Sequence, residues 1–301
     1  MSEALRHAVL GPGGIGGLIG ACLARLGATV TMVVRAETLA HFPRQIHLTS
    51  PFGNVDATVS PAAQVPACDV VWITVKATQL EPALRSVTDP EQVRAIVPLL
   101  NGIDHLALLR KTYGAEKVIP ATIAVESERI APGRFVQRSP FARLNVSATG
   151  RDLLGSTLDD LRKIGFDCRF VDDEPTLMWS KIVFLAPLAL STTAAGLPVG
   201  GVTGDPKRRE RWQACVHEAA AVATAEGARV DAEFVIAGVL QSPAHMRSSM
   251  QKDVEQGNAP ELDAIAGPIL RAARLHGVDV PATKALVAAV AAKAGMPASI
   301  L

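Results

Sequence analysis

The sequence predicts an α/β chain in two parts: an N-terminal Rossmann-type domain with a mostly parallel sheet, then an all-helical C-terminal domain. Three observations predict this. A glycine-rich turn joins a short apolar run to an amphipathic helix near the N-terminus. Short apolar runs bounded by turn residues recur through the first half. Strand-like alternation then vanishes after about residue 172.

The turn is His7-Ala-Val-Leu-Gly11-Pro-Gly13-Gly14-Ile15-Gly16. Val9 and Leu10 end a buried strand, and Ile15, Leu18, Ile19, Cys22, Leu23 and Leu26 mark one helix face. Gly11 permits the tight turn, Gly13 lets the backbone approach a pyrophosphate, and Gly16 lets helix and strand pack closely. Backbone N–H groups at the helix start, from Gly13, Gly14, Ile15 and Gly16, are the expected anion ligands. A second strand, 29–34, follows, ending at Arg35. That residue stands 24 positions after Gly11, where an acid would grip the ribose of NAD and an arginine favours the 2′-phosphate of NADP. Glu37 two residues later weakens this preference, and a solvated surface arginine is the plain alternative.

Further along come a hairpin-like region around Gly53-Asn54 and buried-strand runs at 69–75, 95–100 and 118–121. Phe135-Val-Gln and 143–148 alternate as a sheet-edge meander would, and helix 153–164 with strand 166–171 closes the first domain. The expected domains are 1–172 and 173–301. Helices are expected over 174–195, 206–226, 231–239, 243–256, 260–276 and 282–294, the last starting just after Pro281. This organisation puts the expected active site in the cleft between the two domains.

Composition narrows the function classes. Charged residues are 20% and the net charge is +1, so electrostatics imply neither a nucleic-acid partner nor a membrane surface. Cys22, Cys68, Cys168 and Cys215 lie far apart, which points to buried thiols in a reducing compartment rather than zinc or disulfides. Seven histidines occur without metal-ligand spacing, and no metal is expected. Residues 182–204 carry no charge, but Pro187, Pro198 and several glycines interrupt them; a buried helix followed by a glycine-rich turn fits better than a membrane span. The expected location is the cytoplasm.

Lys76 and Asn101 end consecutive predicted strands, at the sheet edge where cofactor and substrate would lie; capping of a following helix is the plain alternative. Lys181 stands on an otherwise apolar helix in Met178-Trp-Ser-Lys181-Ile-Val-Phe-Leu. Such a lysine either snorkels to solvent or is kept for chemistry, in which case desolvation lowers its ammonium toward neutrality and makes it a usable acid for a carbonyl oxygen that gains charge. Ser249 is a candidate for a substrate carboxylate, and Glu261 for orienting the lysine or a substrate hydroxyl. Their plain readings are a helix serine and an acid favoured by a helix N-terminus.

Together these residues resemble the ketopantoate reductase (2-dehydropantoate 2-reductase) family. The likeness runs nearly end to end, through Gly11-x-Gly13-x-x-Gly16, Arg35, Val75-Lys76-Ala-Thr-Gln79, Leu100-Asn101-Gly102, Trp179-Ser-Lys181, Ser248-Ser249-Met250-x-x-Asp253, Glu261-Leu-Asp263 and His276-Gly277-Val278-x-Val280-Pro281. The resemblance implies NADPH-dependent reduction of a 2-oxo acid, with ketopantoate the expected substrate and pantothenate biosynthesis the setting. It implies Lys181 as general acid supported by Glu261, Ser249 on the substrate carboxylate, and Lys76 and Asn101 near the reacting ring. One departure stands out. Where the family commonly carries two asparagines facing substrate, four and eight residues after the lysine, this chain has Leu185 and Ala189. A diverged reductase for a more apolar ketone or 2-oxo acid, and a non-catalytic NADPH sensor, are therefore the alternative expectations. A homodimer is compatible with the sequence, which does not fix the assembly.

Overall fold

The computed structural model describes residues 5–297. Its contacts divide the chain into two compact units. The first holds the chain up to Leu100 and His105–Asp172; the second holds Asn101–Asp104 and the chain from Asp173 onward.

The first unit runs β1 (Arg6–Leu10), α1 (Gly14–Arg25), β2 (Thr29–Val33), α2 (Ala36–Leu39), β3 (Gln45–Thr49), β4 (Val55–Thr58), β5 (Ser60–Ala62), β6 (Cys68–Ile73), α3 (Leu80–Leu84), β7 (Val93–Pro98), α4 (His105–Tyr113), β8 (Ala121–Ala124), β9 (Ser127–Ala131), β10 (Arg134–Gln137), β11 (Arg143–Ser147), α5 (Arg151–Lys163) and β12 (Asp167–Val171). A five-stranded sheet in the order β5-β2-β1-β6-β7 is parallel throughout, with Val9 opposite both Met32 and Trp72. Its central strands are buried along nearly their whole length, as continuous apolar runs require when both faces are covered. A four-stranded sheet (β4-β3-β10-β9) and a three-stranded sheet (β12-β11-β8) complete the unit.

The second unit holds α6 (Glu174–Ala195), α7 (Val199–Thr203), α8 (Pro206–Ala225), α9 (Ala232–Leu240), α10 (Ser249–Glu255), α11 (Leu262–His276) and α12 (Pro281–Lys293). Asp173 caps α6 by accepting from the Thr176 amide at 3.2 Å, Pro175 suits its first turn, and Gly196 in the left-handed conformation ends it. This is the single described helix long and apolar enough to cross a membrane, and 72% of its most apolar window is buried inside protein. It is the core helix of its unit: Trp179, Ile182, Val183 and Ala186 join Trp212, Val216 and Ile269 in one cluster.

Four expectations need correction. The predicted strand at 118–121 contributes only an isolated bridge, Ile96 to Val118, because Pro120 offers no N–H to a ladder; β8 begins after it. The predicted meander at 135–148 is split between two sheets. The helix expected over 243–256 forms only from Ser249. The carbonyls of Ala244 and Met246 instead accept the amides of Gly200 and Val199. That pairing also turns the expected glycine-rich turn into α7, since a Cβ on Gly200 would lie 2.8 Å from the Ala244 methyl.

All four cysteines are reduced and buried, and burial pushes their thiols up to about 11 or 12, so none is poised as a nucleophile. His7 on β1 is 3% exposed and accepts the Trp72 indole N–H at its Nδ1, 3.2 Å away. Burial pulls its imidazole down to about 4, against the pull of Asp69. The unfolded chain takes up this proton near pH 6.5 and the folded chain only near 4, so stability falls as pH drops through that window. We expect a loss on the order of 3 kcal/mol between those limits. His7→Gln, which keeps an acceptor for Trp72 without the titration, should flatten the decline in urea unfolding followed across that range.

Candidate active site

Two groups of side chains carry the candidate chemistry, one in each unit. In the first, β1 ends in the turn to α1. Gly11 adopts a φ of +88°, its amide donates to the Val33 carbonyl at 3.1 Å, and a Cβ there would fall 2.3 Å from Val75 Cγ1. The Thr74 hydroxyl donates to the carbonyls of Leu10 and Gly11 at 3.1 and 2.8 Å, pinning the turn to the end of β6. Sequence reasoning missed Thr74; its place just past a buried strand beside the turn was the available signal.

Each glycine of the cluster answers to a different neighbour. A Cβ on Gly16 would lie 2.4 Å from Thr74 Oγ1, so this position is set by close packing of helix and strand. Gly14 is pressed by β9, whose Ser127 hydroxyl donates to the Gly14 carbonyl at 2.9 Å. At Gly13 a Cβ would meet nothing nearer than the Gly11 carbonyl, at 4.0 Å. Gly13 therefore faces open space at the start of α1, where no side chain caps the helix. The first-turn amides of Gly14, Ile15 and Gly16 together with this bare approach form an anion cradle, and a dinucleotide pyrophosphate fits it.

Arg35 follows β2 with its side chain 81% exposed, 3.3 Å from the Glu37 carboxylate. Lys76 is exposed and opens a short turn three residues beyond β6, rather than ending the strand itself.

The second group lies within the helical unit. Lys181 is partly buried on α6. Loss of water around its ammonium pulls the pKa down to about 8, while the Glu261 carboxylate holds it from falling further. Glu261 is 9% exposed at the N-terminal boundary of α11. It does not cap that helix; its Oε2 accepts the Asn101 side-chain amide at 3.1 Å. Asn101 belongs to the short segment that packs with the helices. Gly102 next to it has a φ of +85°, and a Cβ there would sit 2.3 Å from the Ala264 carbonyl on α11. Arg271, one face along α11, pairs with Asp263 at 2.6 Å and with Asp104 of the same segment. Asn101, Glu261 and Lys181 thus form one cluster: an ammonium able to give a proton near neutrality, and a carboxylate fixed in place to hold it.

The remaining candidates are placed differently. Ser249 is exposed at the first turn of α10. Its neighbour Ser248 is the buried one, capping α10 through the Gln251 amide at 3.1 Å and sharing a hydrogen bond with Thr192 Oγ1 at 2.9 Å. Leu185 lies one turn along α6 from Lys181, partly buried, whereas Ala189 is wholly buried in the helical core.

The Gly102 geometry gives a discriminating expectation. Gly227 shares its positive φ, at +85°, but nothing lies within 4 Å of a Cβ added there. Gly227→Ala should cost only the strain of a left-handed alanine, roughly 1–2 kcal/mol. Gly102→Ala should cost distinctly more, read as a larger drop in melting temperature.

Comparison with known proteins identifies the family. Residues 7–150 match the family described as "Ketopantoate reductase PanE/ApbA", and residues 175–294 match its C-terminal domain. A 2-dehydropantoate 2-reductase of Caulobacter vibrioides is 31% identical over 295 residues, covering 93% of this chain and 96% of the relative. An uncharacterized oxidoreductase of Bacillus subtilis, YkpB, is 27% identical, covering 94% of this chain and 97% of its own. Among solved structures, a PanE/ApbA family ketopantoate reductase from Ralstonia eutropha superposes with a TM-score of 0.85 at 22% identity, covering 96% of this chain and 98% of that one. A D-mandelate dehydrogenase bound to NADH and anilino(oxo)acetate superposes at 0.84 with 21% identity and the same coverage. These two show a shared fold. With the Caulobacter relative matched along nearly its whole length, the chain belongs to the ketopantoate reductase family of NADPH-dependent oxidoreductases.

Proposed function

We propose that this protein reduces a 2-oxo acid to the 2-hydroxy acid, with Lys181 giving the proton to the carbonyl oxygen. The observation that carries this is the Lys181 ammonium, brought down to about 8 by burial and coupled to a Glu261 carboxylate that Asn101 holds. NADPH, when bound, would supply the hydride that the carbonyl carbon takes up. The chain supplies the rest. The amides at the start of α1 and the bare approach at Gly13 hold the pyrophosphate, and Arg35 takes the 2′-phosphate. Lys76 serves as a further cofactor contact.

As negative charge grows on the carbonyl oxygen, the ammonium first stabilises it and then transfers a proton. A pKa near 8 keeps Lys181 mostly charged at neutral pH, yet lets it release that proton far more readily than a solvated lysine. Glu261 keeps the ammonium aimed and ensures that it recharges. Ser249 is the proposed contact for the substrate carboxylate. The Caulobacter relative is named a 2-dehydropantoate 2-reductase, which makes 2-dehydropantoate the reference substrate for assay.

Lys181→Ala should lower kcat at least about a hundredfold while leaving NADPH affinity nearly unchanged; near-normal turnover would refute the assignment. In the unaltered protein kcat should fall as pH rises through about 8, and Glu261→Gln should move that limb to lower pH, because the carboxylate raises the lysine pKa. Gly13→Ala tests the cradle separately. Nothing in the fold opposes the added methyl, so the melting temperature without ligand should hold while the NADPH dissociation constant rises at least about tenfold.

A further inference from the structure

We propose that the face of α6 beside Lys181 selects 2-oxo acids whose side chain is pure hydrocarbon, with Leu185 and Phe184 as the specificity-determining residues. This rests on the reading of Lys181 as the proton donor to the carbonyl.

The argument starts from helix geometry. At about 100° per residue, Phe184, Leu185, Leu188 and Thr192 all lie within about 60° of Lys181 around α6 and follow it toward the C-terminus. Helix side chains lean toward the N-terminus, so Phe184 and Leu185 cover the surface next to the lysine. Their exposure agrees. Phe184 is 37% exposed, among the few large apolar side chains so open in the described residues, and Leu185 is only partly buried. From Ala186 to Thr193 the helix is buried throughout. The accessible wall that α6 offers beyond its ammonium is therefore a phenyl ring and an isobutyl group.

Beyond the lysine, α6 offers no accessible polar side chain on the Leu185 side of that face to a substrate hydroxyl. The next polar side chain is Thr192, which has no exposed surface. Its hydroxyl is taken by the Leu188 carbonyl at 2.8 Å and by Ser248 at 2.9 Å. Ser191 and Thr193 carry hydroxyls with no partner in the structure, but both are buried, Ser191 two turns beyond Phe184 and Thr193 about 120° around the helix from Lys181. Ser180 is exposed and lies one turn before Phe184, but it precedes the lysine and sits about 140° around the helix from Leu185, so it does not serve the Leu185 side. A hydroxyl laid against Phe184 and Leu185 would lose its water and gain no partner, which costs binding.

A pair of substrates isolates this effect. Trimethylpyruvate and 2-dehydropantoate differ by one hydroxyl on an otherwise identical branched skeleton. With NADPH consumption as the readout, the unaltered protein should favour trimethylpyruvate in kcat/KM by about tenfold to a hundredfold, the range in which an apolar surface discriminates against an added hydroxyl. Leu185→Asn should shift that ratio toward 2-dehydropantoate by at least about tenfold. NADPH affinity, measured by fluorescence, should stay unchanged and show that the variant is folded. Equal use of the two acids, or preference for 2-dehydropantoate, by the unaltered protein would overturn the proposal without any variant. An unmoved ratio in a folded Leu185→Asn would overturn it too. If neither acid consumes NADPH, the reduction itself is refuted, and this inference falls with it.

Discussion

The helical unit depends on one electrostatic arrangement: an ammonium and a carboxylate kept together away from water. Neither charge would be stable there alone. Lys181 loses hydration on α6, and without Glu261 its pKa would fall further. Glu261, 9% exposed, accepts the Asn101 side-chain amide. Each group is tolerable only because the other is fixed, and the fixing is done by backbone geometry. Gly102 lets the 101–104 segment come against the Ala264 carbonyl, and Arg271 clamps that segment through Asp104 and Asp263. A chain of ordinary contacts thus ends in an ammonium with unusual acidity.

Much of the first unit was legible because its signals are local. A strand that runs into glycines and then into a helix is written within ten residues, and the functions of Gly11 and Gly16 follow from steric needs close at hand. The apolar runs of β1, β6 and β7 likewise announce themselves. The failures were also physical. At 118–121 the apolar pattern was right, but Pro120 denies the ladder its donor. At 243–248 helical spacing lost to the amides of α7, which needed the Ala244 and Met246 carbonyls.

In the candidate site, residue types were readable and partners were not. Lys181 stands out on an apolar helix because a charge there needs a reason. The hydrogen bond between Asn101 and Glu261 joins positions 160 apart, and no local pattern encodes it. Asn101 was expected beside the cofactor, and nothing local announced that its side-chain amide also donates to Glu261. Ser248 and Ser249 show the same limit at short range. Ser248 is the extended residue that caps α10 and Ser249 the first residue of the helix, so one hydroxyl is buried against Thr192 while the next faces solvent, and sequence neighbourhood does not tell which.

The membership of Asn101–Asp104 in the helical unit means that the polypeptide passes between the two bodies three times, after residues 100, 104 and 172. A fragment that starts at Asp173 would keep every helix from α6 onward, yet it would lack the amide that satisfies Glu261 and one carboxylate that anchors Arg271. Dissecting this molecule at its obvious boundary would yield a body with its ionised pair left half supported. The cluster around Lys181 is thus encoded in two separate stretches of the gene, and neither stretch alone specifies it.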